Sequence, residues 1–290
     1  MIVWLGSFPK SGNTWLRSLL SDYKNFKEDY IFENTIYTIK QFPSDNHFDY
    51  LFEEGEMFDR EKMKDAVFAS KYWVPAQLRL IRNNSEDILF KTHAAPCRIG
   101  NNYFLTKETT RCAICIIRDP RQVLFSLMKH FHFNEQKESM NFLLTSERSI
   151  NISDTLNKES ESFSHLPLPS WDIYYLSWAA YKNIFPIKFL RYEDMFDFKT
   201  FKETITFLEK HTNISEFKYE EIKAKKVFER SKFENLRNRE KITGFNESKN
   251  KITGFFNEGK IDSWENKIEI DIREKIEKKF EKIMKDFKYL

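Results

Sequence analysis

The stretch that most constrains this chain runs from Ile2 to Leu20. An apolar run, Ile2-Val3-Trp4-Leu5, breaks into Gly6-Ser7-Phe8-Pro9-Lys10-Ser11-Gly12, and an amphipathic pattern begins near Thr14. The run reads as a buried strand and the pattern as a helix. A strand, a small-residue turn and a helix N-terminus together form an anion site, because backbone N–H groups point inward and the helix dipole favours negative charge. The usual triphosphate loop is G-x-x-x-x-G-K-[ST]. Here Asn13 follows Gly12, and the lysine comes early, at Lys10. Such a loop holds a phosphate but lacks the lysine that reaches a β- or γ-phosphate.

Three more short strands follow at distances that leave room for helices. They cover 87–91, 111–117 and 187–192, with helical patterns near 60–69, 76–83, 121–133, 171–183, 198–211, 216–230 and 269–285. This alternation specifies a P-loop-type α/β fold: a parallel β-sheet flanked by helices on both faces. Its 290 residues suit one domain, 1–290. Segment 134–169, rich in Ser, Asn, Glu and Lys, reads as a lid or insertion.

In parallel sheets of this kind, ligands sit beyond the carboxyl ends of the strands. Three predicted strand ends carry chemistry. The first carries Lys10, the second Lys91-Thr92-His93, and the third Arg118-Asp119-Pro120. Lys91 and His93 share one side of an extended chain. A histidine is the best neutral-pH base for an acceptor hydroxyl or amine, and a lysine offers fixed charge to a departing oxygen. Arg118, with Ser126 eight residues on, suits a second phosphate.

Charge and cysteine content exclude other classes. Lys+Arg of 47 against Asp+Glu of 44 leaves +3, which argues against a nucleic-acid binder. Cys97, Cys112 and Cys115 are too few for a disulfide framework. Cys112 and Cys115 lie three apart in a predicted strand, so they face opposite sides and do not form a metal pair. There is no signal-peptide pattern and no 18-residue apolar run, which predicts a cytoplasmic protein without a membrane span.

On these residues the chain resembles the cytosolic-type sulfotransferases. Phe8 to Trp15 looks like their 5′-phosphosulfate loop, Lys91-Thr92-His93 their catalytic segment, and Arg118 to Ser126 their 3′-phosphate segment. Phe189 to Met195 resembles the strand and turn that follow, while Ser231-Lys232-Phe233 and Phe255 to Trp264 resemble the late segments. The resemblance implies a donor, 3′-phosphoadenylyl sulfate (PAPS), a product, 3′,5′-adenosine bisphosphate (PAP), and no metal. It implies that His93 is the base, assisted by Lys10 and Lys91. Ser11, Gly12, Asn13 and Thr14 would hold the 5′-phosphate, and Arg118 and Ser126 the 3′-phosphate. Trp15, Tyr192, Ser231, Phe233 and Gly259 would line the nucleotide, with 240–264 as a late cofactor loop. The acceptor would be a small molecule, glycan or lipid.

The chain departs from the family pattern at Asn257-Glu258-Gly259, where two cations usually precede the glycine. Two other readings compete. A nucleotide-dependent kinase would need a lysine after Gly12 and a metal-holding acid at a strand end. An inactive nucleotide-binding relative would keep the loop without turnover.

Overall fold

The computed structural model describes residues 1–28, 38–49, 51, 60–146, 149–151, 165–243 and 263–290. Of the late loop 240–264, residues 244–262, among them Asn257, Glu258 and Gly259, lie outside the described residues.

The first strand, β1 (Ile2–Ser7), is buried along its whole length. An apolar run without alternation can only sit in the middle of a sheet covered on both faces. It does so here. In chain order the other strands are β2 (Lys40–Gln41), β3 (Ile88–Thr92), β4 (Arg98–Ile99), β5 (Asn102–Tyr103), β6 (Thr110–Ile117), β7 (Ser149–Asn151), β8 (His165–Pro167) and β9 (Ile187–Arg191). The main sheet has the order β2-β3-β1-β6-β9, and every pair in it is parallel. The chain therefore crosses over β1 between β3 and β6. That switch point lies at the end of β1, flanked by the ends of β3 and β6.

The helices are α1 (Asn13–Lys24), α2 (Arg60–Met63), α3 (Ala66–Ser70), α4 (Trp73–Arg82), α5 (Pro120–Phe131), α6 (Gln136–Leu144), α7 (Trp171–Ala179), α8 (Phe198–His211), α9 (Glu221–Arg230), α10 (Phe233–Thr243) and α11 (Ile270–Asp286). They cover both faces of the sheet. Cys112, Ile114 and Ile116 of β6 join Val3, Leu5 and Leu89 in one apolar cluster with α1, α8 and α9. Ala113, Cys115 and Ile117 join Ile2, Trp4 and Phe90 in the other, with α4, α5, α7 and α11. Cys112 and Cys115 thus face opposite sides, as their spacing predicts. Burial pushes the Cys112 thiol up to about 12 and the Cys115 thiol well above its ordinary value, so neither is a reactive thiolate.

Several elements differ from the sequence expectation. The pattern at 60–69 is split into α2 and α3, because the Asp65 carboxylate accepts from Phe68 N at 2.7 Å and starts a new helix. The 134–169 segment is not loose throughout. Its first part is α6, anchored by buried Met140 and Leu143 and by Ser139 Oγ donating to Leu124 O at 2.7 Å. β7 and β8 then pair antiparallel, and 152–164 lie outside the described residues. Among the described residues no helix is long and apolar enough to cross a membrane.

Beside the short edge strand β2, His47 is buried, stacked on Phe42 at 5.0 Å and edge-on to Phe90 at 5.3 Å. Its Nδ1 accepts from Ser44 N at 3.1 Å, so the ring is neutral. Burial, with Lys40 adding to it, lowers its pKa to about 4. In the unfolded chain it takes a proton near pH 6.5. The stability this group contributes is therefore complete above pH 6.5 and is lost as pH falls toward 4, by about 3 kcal/mol. Urea titrations between pH 7 and 4 should show a His47→Gln variant losing less stability over that window than the parent. Equal acid sensitivity in both would rule His47 out as the source.

Candidate active site

The loop after β1 is built by two unusual backbone conformations. Lys10 has φ of 66° and Gly12 φ of 100°, both left-handed. A non-glycine residue held there stores strain, which the surrounding bonds must sustain. For Gly12 there is also no space. A Cβ would lie 2.4 Å from Cδ2 of the Tyr192 ring. Gly12 is the residue that starts α1, and it brings no capping side chain. Trp15 N and Leu16 N turn back to Gly12 O at 3.1 and 3.2 Å. The amides of Gly12 and Asn13 precede this first turn, where a helix has no acceptor of its own to offer. They are suited to an anion.

The side chains of the loop brace it from below. Tyr175 OH donates to Ile116 O at 2.9 Å, which uses its one hydrogen. Ser11 Oγ therefore donates to Tyr175 OH, at 3.3 Å. Asn13 Nδ2 donates to Leu5 O at 3.0 Å and to Ser7 Oγ at 3.1 Å. The Asn13 side chain thus points back to β1, and its contribution to an anion site is its backbone N–H. Trp15 is only 4% exposed, packed by Tyr192, Phe196 and Phe233. Its Nε1 donates to Ser231 O at 2.9 Å. The structure thus sets Trp15 as core beneath the loop and brings Ser231 and Phe233 to it across more than 200 residues of sequence.

The β3 end supplies Lys91 and His93, 3% and 7% exposed. Lys91 stands in register with Leu5 of β1. His93 Nδ1 lies 2.7 Å from Ser7 O and 3.3 Å from Ser7 Oγ. A carbonyl can only accept, so Nδ1 carries a hydrogen.

The β6 end supplies Arg118, 9% exposed. Its Nη1 donates to Lys10 O at 3.0 Å and to Ser126 Oγ at 3.3 Å, and its guanidinium lies 4.1 Å from the centre of the Tyr192 ring. Ser126 donates in turn to Gln122 O, so its oxygen faces the arginine. The neighbouring acids are otherwise engaged. Asp119 caps α5 through Arg121 N and pairs with the Arg121 guanidinium at 2.7 Å. Glu193 accepts from Asp119 N at 3.2 Å and from Tyr289 OH at 2.8 Å, and burial pushes its carboxyl above the usual range. Arg118 is thus not neutralised by Asp119.

Several supporting groups were not legible as site residues. Ser7 and Gln122 lie inside the recognised segments without a role of their own there, and Tyr175 lies in none of them. Gln122 Nε2 donates to Ser263 Oγ at 3.0 Å, and Arg121 lies 3.9 Å over Trp264, tying the late segment to α5. The helical pattern at 171–183 is the one signal that pointed near Tyr175.

A parallel sheet with a glycine-pivoted anion loop at its switch point defines a nucleotide-phosphate-binding α/β class. Within that class the sulfotransferase domain profile matches residues 2–288, and the chain belongs to the sulfotransferase family. Solved structures agree on the fold. Retinol dehydratase with androsterone and the inactive cofactor PAP superposes with a TM-score of 0.57 at 17% identity, covering 98% of this chain and 81% of that one. Mouse sulfotransferase SULT7A1 with PAP gives 0.55 at 16% identity, covering 98% and 84%. Retinol dehydratase with retinol and PAP gives 0.56 at 18%, covering 98% and 81%. No curated protein matches the sequence.

The Gly12 geometry yields a direct test. Gly12→Ala should cost about 2–5 kcal/mol, from the left-handed backbone and the ring contact together. Urea denaturation measures it. Adding Tyr192→Leu should recover only the contact part. A loss within about 0.5 kcal/mol, as at an ordinary surface site, would mean the loop relaxes freely.

Proposed function

We propose that this protein transfers a sulfuryl group from PAPS to a hydroxyl or amine of a small-molecule acceptor. The observation that carries the reading is the His93 Nδ1–Ser7 O bond of 2.7 Å, which holds the His93 ring against the last residue of β1, where the anion loop begins. Family membership and the PAP-bound fold neighbours support the donor. The two apolar clusters on one sheet support reading 1–290 as one domain.

The residues fit this donor. A phosphosulfate needs a loop of backbone donors without a γ-phosphate lysine, and Gly12-Asn13 meets that description. A 3′-phosphate needs a cation and a hydroxyl nearby, and Arg118 with Ser126 supplies both. In this reading the Ser11–Thr14 backbone holds the 5′-phosphate. Lys10 and Lys91 place positive charge at the oxygen bridging phosphorus and sulfur. His93 Nε2 takes the acceptor's proton as the oxygen or nitrogen attacks sulfur in line. Positioning and electrostatics do most of the work, as in phosphoryl transfer.

A kinase reading is disfavoured by the same residues. The Asn13 side chain is spent on β1, and Asp119 is spent on Arg121.

Radiolabelled sulfate transfer from PAPS to an acceptor panel tests the activity, with PAP binding measured by calorimetry. His93→Ala should lower turnover about 10²–10⁴-fold and leave PAP affinity intact. Parallel loss of PAP affinity would remove His93 from the base role. Arg118→Ala should weaken PAP about 10- to 100-fold, the worth of charge-assisted bonds. It should leave adenosine 5′-phosphosulfate, which lacks the 3′-phosphate, unaffected. An equal effect on both nucleotides would place the second anion site elsewhere.

A further inference from the structure

Asn13 occupies the first position of α1, yet its side chain turns away from the anion loop and into β1. Its amide is oriented unambiguously. Leu5 O can only accept, so the group facing it is Nδ2. The second hydrogen of that amide goes to Ser7 Oγ at 3.1 Å. Ser7 is also the residue whose carbonyl holds His93 Nδ1 at 2.7 Å, and whose Oγ stands 3.3 Å from the same nitrogen. Asn13 is 5% exposed, Ser7 is fully buried and His93 is nearly so. A continuous buried path therefore joins the helix start, where the anion binds, to the base.

We propose that Asn13 is a positioning residue that fixes the tautomer of His93 through Ser7. The inference rests on His93 acting as the base, and it adds what keeps that base in the useful form. Two hydrogen bonds from one amide, to Leu5 O and to Ser7 Oγ, pin the end of β1 against α1. The pinned Ser7 carbonyl then faces Nδ1. A freed imidazole favours the other tautomer, with hydrogen on Nε2, which presents no lone pair to the acceptor. The arrangement also couples the two halves of the reaction. The backbone N–H of Asn13 faces the anion while its side chain orders the base, so filling the loop with a phosphate steadies both.

The test uses histidine-labelled, full-length protein in complex with PAP, read by long-range nitrogen–proton NMR. The parent should show His93 with hydrogen on Nδ1. Asn13→Ala and Ser7→Ala should each shift His93 toward the Nε2–H form. Asn13→Asp keeps the shape but loses both donors, so it should behave like Asn13→Ala; retention of the parent tautomer in it would show that shape alone suffices and overturn the proposal. With radiolabelled PAPS and 2-naphthol, each variant should lower kcat about 10- to 100-fold, the range for losing a group that orients a reacting one. In the two alanine variants PAP affinity should stay within about twofold, since the backbone N–H survives the substitution. The Asn13→Ala/Ser7→Ala double variant should be no worse than either single one, because both act on one path. An unchanged tautomer in Asn13→Ala, additive losses, or a fall in PAP affinity matching the fall in kcat would each overturn the proposal. The NMR arm decides it even if 2-naphthol is not sulfated, whereas absence of PAP binding to the parent would count against the sulfotransferase reading itself.

Discussion

The contact between Gly12 and the Tyr192 ring is the constraint on which the site depends. It demands a residue without a side chain at a left-handed position. It brings β9's end against the loop that follows β1. The same ring carries the Arg118 guanidinium, a cation–π contact worth about 1–2 kcal/mol when shielded from water. Arg118 closes the circle by donating to Lys10 O, at the other left-handed residue. Strain at Lys10 and the lack of a side chain at Gly12 are thus held in place by residues more than 100 positions away. The loop after β1 and the Arg118 segment are mechanically one unit, which under the proposed function sets the spacing between two phosphate positions.

A second dependence runs through β1 itself. Because β1 is the centre of the sheet, its last residue touches what comes from β3, and its loop touches what comes from β6. His93 reaches Ser7, and Arg118 reaches Lys10. His93 and Arg118 are therefore referenced to one short piece of chain. The distance between them is fixed by strand spacing rather than by flexible loops.

Much of this was legible in the sequence because the residues were local. Lys10 to Trp15, Lys91 with His93, and Arg118 with Ser126 are each a few positions apart at a strand end, and local spacing is what periodicity and turn chemistry report. The parallel sheet and the two-faced burial of β6 followed from the same patterns, while the order of the strands came only with the structure. What escaped was set by distant partners. β2 is two residues long and exists only because β3 is beside it. α10 reads poorly because only Leu236 among its described side chains is a buried apolar group. The Ser/Glu-rich composition around α6 hid a helix held by two apolar side chains and one hydroxyl. Trp15 after the loop was open to an adenine-stacking reading. Its burial follows from Ser231 and Phe196, which no spacing near residue 15 reveals.

The central position of β1 has a consequence for how the protein is made. Its neighbours in the sheet, β3 and β6, begin at residues 88 and 110. At synthesis rates of about 5–20 residues per second, β1 is translated roughly 5–20 seconds before its second partner strand exists. Until β3 is made, an apolar strand with two unpaired edges, and the apolar side of α1, have nothing native to rest on, and one edge stays unpaired until β6 follows. The loop after β1 is held in its final shape later still, once Arg118 and Tyr192 have been made.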